Sequence, residues 1–212
     1  TIRVAGMLTP LLKEPVLRAE DTLGFADHLL SKEQKDRFIK DHEVDFAYET
    51  ADGYRLRGNA FFQRGSIGVV LRLIPKQIKT IAELNLPPVV ETFARKSQGF
   101  FLVVGPVGQG KTTTLAALLE MINLERMEHI ITIEDPIEYV YTPKQSMIDQ
   151  REVRIDTKDF ATALHSAFRQ DVDVILIGEM RGAETMSAAV TAAETGHLVF
   201  STLHTNNAAQ TI

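Results

Sequence analysis

The sequence predicts an α/β protein in which a small α+β domain precedes a larger domain with a mainly parallel sheet. In the second half of the chain, short apolar runs alternate with segments long enough for helices, a pattern typical of a parallel sheet covered on both faces. In the first half, three strand-like runs are separated by the turn sequences DG and RGS, which indicates an antiparallel meander. We therefore predict domains at residues 1–75 and 98–212, joined by a linker and connecting helix at 76–97.

The composition excludes several classes of protein. Of 212 residues, 44% are hydrophobic and 24% charged, as in ordinary globular proteins, and the net charge is −5. This acidic balance argues against a surface devoted to nucleic acid, so we expect no nucleic-acid partner. Without cysteine there is no disulfide framework and no thiolate metal site. No signal-peptide core or membrane-length apolar run is visible, so we expect a cytoplasmic protein, with any membrane attachment made through partners.

The first domain is predicted to contain a strand, two helices and then three further strands. The run IRVAG is strand-like, and EDTLGFADHLL and SKEQKDRFIKDH are helix-like. The second of these helices begins with Ser31 followed by Gln34, the signature of a capping box. The strands VDFAYET, YRLRGNAFFQ and GVVLRLIP form the meander, and a stretch with three prolines follows them as the linker.

The second domain alternates strands and helices. The strands are FFLVV, IITIE, VILIG and LVFST, with one further short strand in the loop after IITIE. The helices are predicted at 111–123, 157–169 and 183–194. The sequence stops at NNAAQTI without a helix stop signal, so we expect an incomplete domain, truncated at the C-terminus.

The segment GPVGQGKTTT lies between the strand FFLVV and a helix, and it fits the P-loop pattern G-x-x-x-x-G-K-[ST]. Glycines let backbone N–H groups approach a triphosphate, and the helix N-terminus favours its negative charge. Lys111 would add a mobile cation and the Thr112 hydroxyl a ligand for Mg²⁺. We therefore predict that ATP and Mg²⁺ are bound by a loop with these residues: Gly105, Pro106, Val107, Gly108, Gln109, Gly110, Lys111, Thr112 and Thr113.

Carboxylates follow two of the apolar strands. Glu179 comes after VILIG, with Gly178 at the position where a metal-binding aspartate is often found, so Glu179 is predicted to hold the Mg²⁺ shell. Glu134 and Glu138 follow IITI, where the carboxyl end of a strand brings them to the ligand edge of the sheet. Glu138 is predicted to orient the attacking water as general base, with Glu134 as the alternative.

Two histidines bracket the strand LVFST, which we expect beside the P-loop strand. His197 precedes the strand and His204 follows it. His204 is predicted to sense the γ-phosphate. The polar side chains expected to assist it are Ser201, Thr202, Thr205, Asn206 and Asn207.

These segments together resemble the secretion-superfamily ATPases of type IV pili and type II secretion. ITIEDPIEY is similar to the acidic box of that family, LIGEMRG to its atypical second nucleotide motif, and GHLVFSTLHTNNAAQTI to its histidine box. The resemblance covers nearly all of residues 98–212. The segments GEMR, HTNNAAQTI and QREV resemble the retraction ATPases more than the assembly ATPases, although Gly182 stands where the family usually has aspartate.

The resemblance implies a RecA-like core after a PAS-like first domain. It also implies a homohexameric ring that hydrolyses ATP and pulls pilin out of a fibre through an inner-membrane platform protein. Two alternatives stay open. One is an assembly or secretion ATPase of the same superfamily, and the other is a non-hydrolysing module that senses nucleotide.

Three arginines of the first domain complete the predicted site. Phosphoryl transfer spreads negative charge over the equatorial oxygens, and an inserted guanidinium stabilises it. Arg57, Arg64 and Arg72 lie on the strand-rich stretch that resembles the arginine-bearing strands of the family. At least one of them is predicted to reach the phosphates when the two domains close.

Overall fold

A computed structural model of the chain describes residues 1–4, 6–180, 182–205, 209 and 211. It divides into two compact units, a first unit at Thr1–Ile74 and a second unit at Pro75–Ile212. Residues 76–97, set apart above as a linker, fall within the second unit. Ile81 and Ala94 of this stretch are buried in the core of that unit.

The first unit is a three-stranded antiparallel sheet with two helices. A small hairpin, β1 and β2, comes first, and the three-stranded sheet has the order β3-β4-β5, the predicted meander. The capping box is confirmed, because Ser31 N donates to Gln34 Oε1 at 2.9 Å and Gln34 N donates to Ser31 Oγ at 3.3 Å. The elements are β1 Ile2–Val4, β2 Met7–Thr9, α1 Ala19–Leu29, α2 Lys32–Asp41, β3 Glu43–Glu49, β4 Arg55–Gln63 and β5 Ser66–Leu73.

The second unit is an α/β domain around a five-stranded sheet. A short 3-10 helix, Pro88–Val90, precedes it. The sheet has the order β6-β10-β9-β7-β8, and every neighbouring pair is parallel, as predicted. The elements are α3 Glu91–Ala94, β6 Gly99–Val104, α4 Lys111–Glu125, β7 His129–Glu134, β8 Met147–Glu152, α5 Phe160–Ala167, β9 Val174–Ile177, α6 Ala183–Glu194 and β10 Leu198–Leu203.

Helices cover both faces of this sheet, and successive residues of a strand enter opposite cores. In β10, Leu198 and Phe200 pack in the core that contains α4, whereas Val199 packs in the core that contains α5 and α6. Parallel strands buried on both faces need apolar residues at every position. This explains why LVFST and VILI show no polar alternation.

One helix is shorter than the sequence predicts. The predicted helix 157–169 begins only at Phe160, because the side chain of Asp159 caps it by accepting from Thr162 N at 2.7 Å. This hydrogen bond also holds the pKa of Asp159 below its ordinary value. Among the described residues, no helix is both long enough and apolar enough to cross a membrane.

Candidate active site

The glycine-rich loop between β6 and α4 has the conformation that its sequence predicts. Gly108 and Gly110 have φ of 82°, a region that side-chain-bearing residues rarely adopt, and Gly110 is the N-cap of α4. A Cβ at either position would meet no atom within 4 Å. Residues 106–110 are exposed. The loop therefore leaves an open concave backbone at the N-terminus of a 15-residue helix, an arrangement that favours anions.

Lys111 is folded back onto this loop. Its side chain is buried, and Nζ donates to the carbonyl oxygens of Gly105 at 2.8 Å and Pro106 at 3.0 Å. A buried ammonium needs such acceptors, because an uncompensated charge away from water is costly. The carbonyl groups of the loop thus stabilise the charge of Lys111.

Three residues predicted separately meet at this point. Lys111 Nζ lies 3.4 Å from His204 Nδ1, and His204 Nε2 lies 3.4 Å from Glu179 Oε2. Because an ammonium only donates, Nδ1 must accept and Nε2 carries the proton toward the carboxylate. His204 therefore bridges the lysine of the loop and the carboxylate after β9.

Gly178, at the position where a metal-binding aspartate is often found, lies against Glu134. A Cβ at Gly178 would lie 3.4 Å from Glu134 Cα and 3.6 Å from Glu134 Cγ. An aspartate there would place a second carboxylate against a buried one, which like charges disfavour. Glu179, the next residue, is the carboxylate that faces His204 at this strand end.

The candidate bases Glu134 and Glu138 are adjacent in space but differ in burial. Glu134 is buried, and Thr132 Oγ1 donates to its Oε1 at 2.7 Å. Burial raises the pKa of Glu134 to about 7, although its hydrogen bonds act in the opposite direction. Glu138 is half-buried, and its backbone N donates to Glu134 Oε2 at 3.4 Å. Sequence reasoning missed Thr132, whose signal is its position two residues before Glu134 on one face of β7.

Residues 135–142, here called the acidic loop, connect β7 to this site. Tyr139 OH lies 3.1 Å from Thr113 Oγ1 in the first turn of α4. Asp135 Oδ2 lies 3.3 Å from an Arg154 guanidinium nitrogen. The acidic loop therefore contacts the helix that carries the P-loop lysine.

The two histidines around β10 lie at opposite ends of the strand. His197 Nδ1 lies 3.0 Å from Ala192 O, where it closes the turn between α6 and β10. Ser201 and Thr202 donate to the carbonyls of Ile177 at 2.8 Å and Gly178 at 2.7 Å. Their hydroxyls thus bind the neighbouring strand, contrary to their expected role at the phosphate. Asn206 and Asn207 lie outside the described residues.

The three candidate arginines lie in the first unit. Arg57 of β4 and Arg72 of β5 are directly opposite each other in the antiparallel register, and Arg64 lies in the turn between these strands with φ of 51°. Like charges placed directly across a sheet are destabilising. The same face of the sheet also carries Glu43, Asp45 and Glu49 of β3, so its charge is mixed.

Gly182, the departure from the family pattern noted above, is the N-cap of α6. Its backbone is extended, with φ of −126° and ψ of 150°, and no side-chain cap is present. An aspartate at this position would cap the helix, so glycine loses that hydrogen bond without straining the backbone.

The oxygen atoms predicted to coordinate Mg²⁺ suit an ion that the protein holds only in part. No group of three or more His, Asp or Glu side chains in the described part of the chain could hold a metal by itself. Mg²⁺ usually takes only one or two protein oxygens, with phosphates and water completing its shell. Thr112 and Glu179 remain the two predicted oxygen donors for such an ion.

A parallel sheet, a glycine loop at the start of a helix and carboxylates at neighbouring strand ends together define a P-loop α/β domain. The sequence profile of the Type II/IV secretion system protein family matches residues 37–212. The chain belongs to that family.

Relatives within the family are similar over the whole chain. The Type IV pilus retractation ATPase PilT of Pseudomonas aeruginosa is 46% identical over 211 residues, and a twitching motility protein of Neisseria gonorrhoeae is equally identical over 211 residues. Each alignment covers 100% of this chain, which spans 61% and 56% of the two relatives. A crystal structure of the pilus retraction motor PilT with bound ADP matches with a TM-score of 0.94 and 46% identity, over 99% of this chain and 61% of that one.

Proposed function

We propose that the chain belongs to a Mg²⁺-dependent ATPase that drives the retraction of type IV pili and thereby twitching motility. The observation that carries this proposal is the contact between Lys111, His204 and Glu179 beside the glycine loop. A loop, a cation and a carboxylate in this arrangement suit binding and hydrolysis of a nucleoside triphosphate. The similarity to a retraction motor that was crystallised with ADP supports ATP as the substrate.

Each residue then has a part in hydrolysis. The N–H groups of the loop bind the phosphates, and Lys111 exchanges the carbonyls of Gly105 and Pro106 for phosphate oxygens. Mg²⁺, held by Thr112 and Glu179, would neutralise charge on the β- and γ-phosphates. Glu138 orients the attacking water, with Glu134 as the alternative.

His204 changes partners during this cycle. His204 accepts from Lys111 through Nδ1 and directs its Nε2–H toward Glu179. When Lys111 turns toward phosphate, its contact with His204 is lost, and His204 can redirect its Nε2–H from Glu179 to the γ-phosphate. This exchange makes His204 a sensor of bound triphosphate.

The motor function rests on the relatives and on family membership. We infer a homohexamer that acts on the pilin fibre indirectly, through an inner-membrane platform protein, from the cytoplasmic side. The matching family covers both type II and type IV systems, so an assembly or secretion ATPase is the second candidate. A non-hydrolysing nucleotide sensor is the third.

The arginines of the first unit are proposed as the cation for the transition state. An anion between Arg57 and Arg72 would offset the repulsion that their direct pairing creates. We expect at least one of Arg57→Ala, Arg64→Ala and Arg72→Ala to lower turnover more than about tenfold, because an inserted guanidinium is worth roughly 10³–10⁵ in rate. Nucleotide binding by residues 75–212 should be unchanged. Three variants with normal turnover would remove the first unit from the mechanism.

Two measurements test the proposed function. Steady-state hydrolysis by the full-length protein should require both ATP and Mg²⁺, and binding without turnover would favour the sensor. Expression in a strain that lacks its retraction motor should restore twitching and remove excess surface pili. Turnover without restored retraction would favour the assembly or secretion ATPase.

A further inference from the structure

The segment QREV has no role in the function proposed above, although sequence analysis singled it out. Its first three residues end β8, which pairs with β7 in parallel register so that Glu152 lies opposite Glu134. Gln150 and Glu152 are two residues apart on the strand and therefore lie on the same face. Both side chains bind the backbone of the acidic loop.

Gln150 forms two hydrogen bonds with the backbone of the acidic loop. Its Oε1 accepts from Tyr141 N at 2.8 Å, and its Nε2 donates to Tyr139 O at 2.8 Å. A residue in a parallel strand bonds in the same way to the carbonyl before and the N–H after its partner. The carboxamide thus acts as one peptide group of an additional strand beside Val140. The orientation of the amide follows from these partners, because only Oε1 can accept from an N–H.

The same side chain reaches the buried carboxylate. Gln150 Nε2 lies 3.5 Å from Glu134 Oε1. Glu152 Oε2 accepts from Ile137 N at 3.2 Å, and Glu134 Oε2 accepts from Glu138 N. Three side chains from β7 and β8 therefore bind the backbone of the acidic loop at residues 137, 138, 139 and 141.

This anchoring determines where the acidic loop meets the candidate active site. Tyr139, whose carbonyl is bound by Gln150, contacts Thr113 through its hydroxyl. Glu138 precedes it by one residue. A shift at Gln150 would therefore displace both the contact with α4 and the proposed base.

We propose that Gln150 is a positioning residue: it holds the acidic loop so that Tyr139 reaches the first turn of α4 and Glu138 is fixed beside Glu134. The proposal rests on the proposed ATPase activity, because the step it supports is the orientation of water by Glu138. Gln150 itself touches no phosphate in this scheme. Substitution of Gln150 should therefore lower kcat, whereas the binding of ATP by the glycine loop does not depend on Gln150.

The first test is Gln150→Glu in the full-length protein. The carboxylate keeps the length of the side chain and accepts from Tyr141 N, but it cannot donate to Tyr139 O and places a like charge near Glu134. We expect kcat per bound nucleotide to fall about 10²-fold, since small displacements of a reacting group cost that much. KM for ATP should stay within about twofold, because uniform binding is untouched.

The matched control is Gln170→Glu, the same substitution at an exposed residue whose Nε2 binds Ser166 Oγ. It should leave both constants unchanged. If Gln150 served only the stability of the fold, Gln150→Glu would reduce the folded fraction and leave kcat per bound nucleotide unchanged. That result would overturn the proposal.

Hydrogen exchange tests the same role without any turnover. Gln150→Met removes both hydrogen bonds, and we expect amides in 135–142 to exchange at least about tenfold faster while α4 stays protected. Exchange at the wild-type rate would overturn the proposal. If the wild-type protein bound but did not hydrolyse ATP, the proposed function would fail, and the exchange result alone would decide whether Gln150 holds the loop.

Discussion

The two ends of the parallel sheet carry the same kinds of residue but use them differently. At the amino end, His129 has ring nitrogens 2.9 Å from Gln170 O and 3.0 Å from Asp149 Oδ2. Its backbone N donates to Asp173 Oδ2 at 2.8 Å. These contacts join the starts of neighbouring strands to the loop before β9, and they stabilise the fold.

At the carboxyl end, the polar groups contact one another around an exposed glycine loop. Lys111 rests on loop carbonyls and on His204, which in turn faces Glu179. Such contacts can be exchanged for contacts with a ligand, whereas those of His129 to backbone carbonyls cannot be exchanged without opening the fold. The residue type therefore does not distinguish the two histidines, and the partners of their ring nitrogens are the basis for proposing that His204 is the functional one.

The largest effect should come from Lys111→Ala. The glycine loop loses its cation, so turnover should be abolished and ATP binding strongly weakened. Isothermal titration and a steady-state assay measure both. Lys158→Ala removes an exposed lysine before α5 and serves as control. Unchanged affinity and rate in Lys111→Ala would remove the P-loop assignment and, with it, the contrast between the two ends.

A somewhat smaller loss is expected from Glu138→Gln. Removing a general base costs roughly 10²–10⁴ in rate with binding retained. Glu134→Gln is the matched variant, because it changes the neighbouring carboxylate by the same chemistry. If Glu138→Gln turns over ATP normally and Glu134→Gln does not, the base is Glu134.

Glu134→Gln should also change the pH dependence of stability. A carboxyl group whose pKa rises from 4.5 to about 7 on folding binds more protons in the native state across that interval. The free energy of unfolding should therefore fall as pH rises from 4.5 to 7, by up to about 3 kcal/mol, and then level off.

Urea unfolding of the nucleotide-free protein between pH 4.5 and 8 measures this decline. Glu134→Gln should flatten it and leave the variant more stable than wild type above pH 7. Glu194→Gln, at an exposed residue that ends α6, should keep the decline. Equal slopes in all three proteins would show that Glu134 is not the titrating group.

The smallest effects on turnover should separate the two histidines that flank β10. His204→Ala should retain ATP binding, lower hydrolysis by about tenfold through loss of one charged hydrogen bond, and abolish twitching. His197→Ala loses the bond to Ala192 O and should lower the melting temperature without changing turnover by folded protein. Normal twitching with His204→Ala at normal expression would remove its sensor role.

Local features were predictable because their causes lie within a few residues. The capping box at Ser31, the glycine loop and the helix at 183–194 depend on backbone conformation and on hydrogen bonds to near neighbours. The start of α5 was predicted at residue 157, but the helix begins at Phe160 because the side chain of Asp159 caps it there. Gln150 could be noticed only as part of a motif, because its hydrogen-bond partners are nine and eleven residues away.

The sequence by itself determined the parallel α/β class, the phosphate loop and the carboxylates at the strand ends, because periodicity and glycine placement are local properties of the chain. Only the tertiary structure decided which of these groups meet. Lys111 and His204 are 93 residues apart in the chain, and they touch because β10 pairs with β6. This pairing confirms the expectation that LVFST lies beside the P-loop strand. The register and the side-chain contacts depend on the packing of apolar faces over the whole sheet, and no short stretch of sequence contains that information.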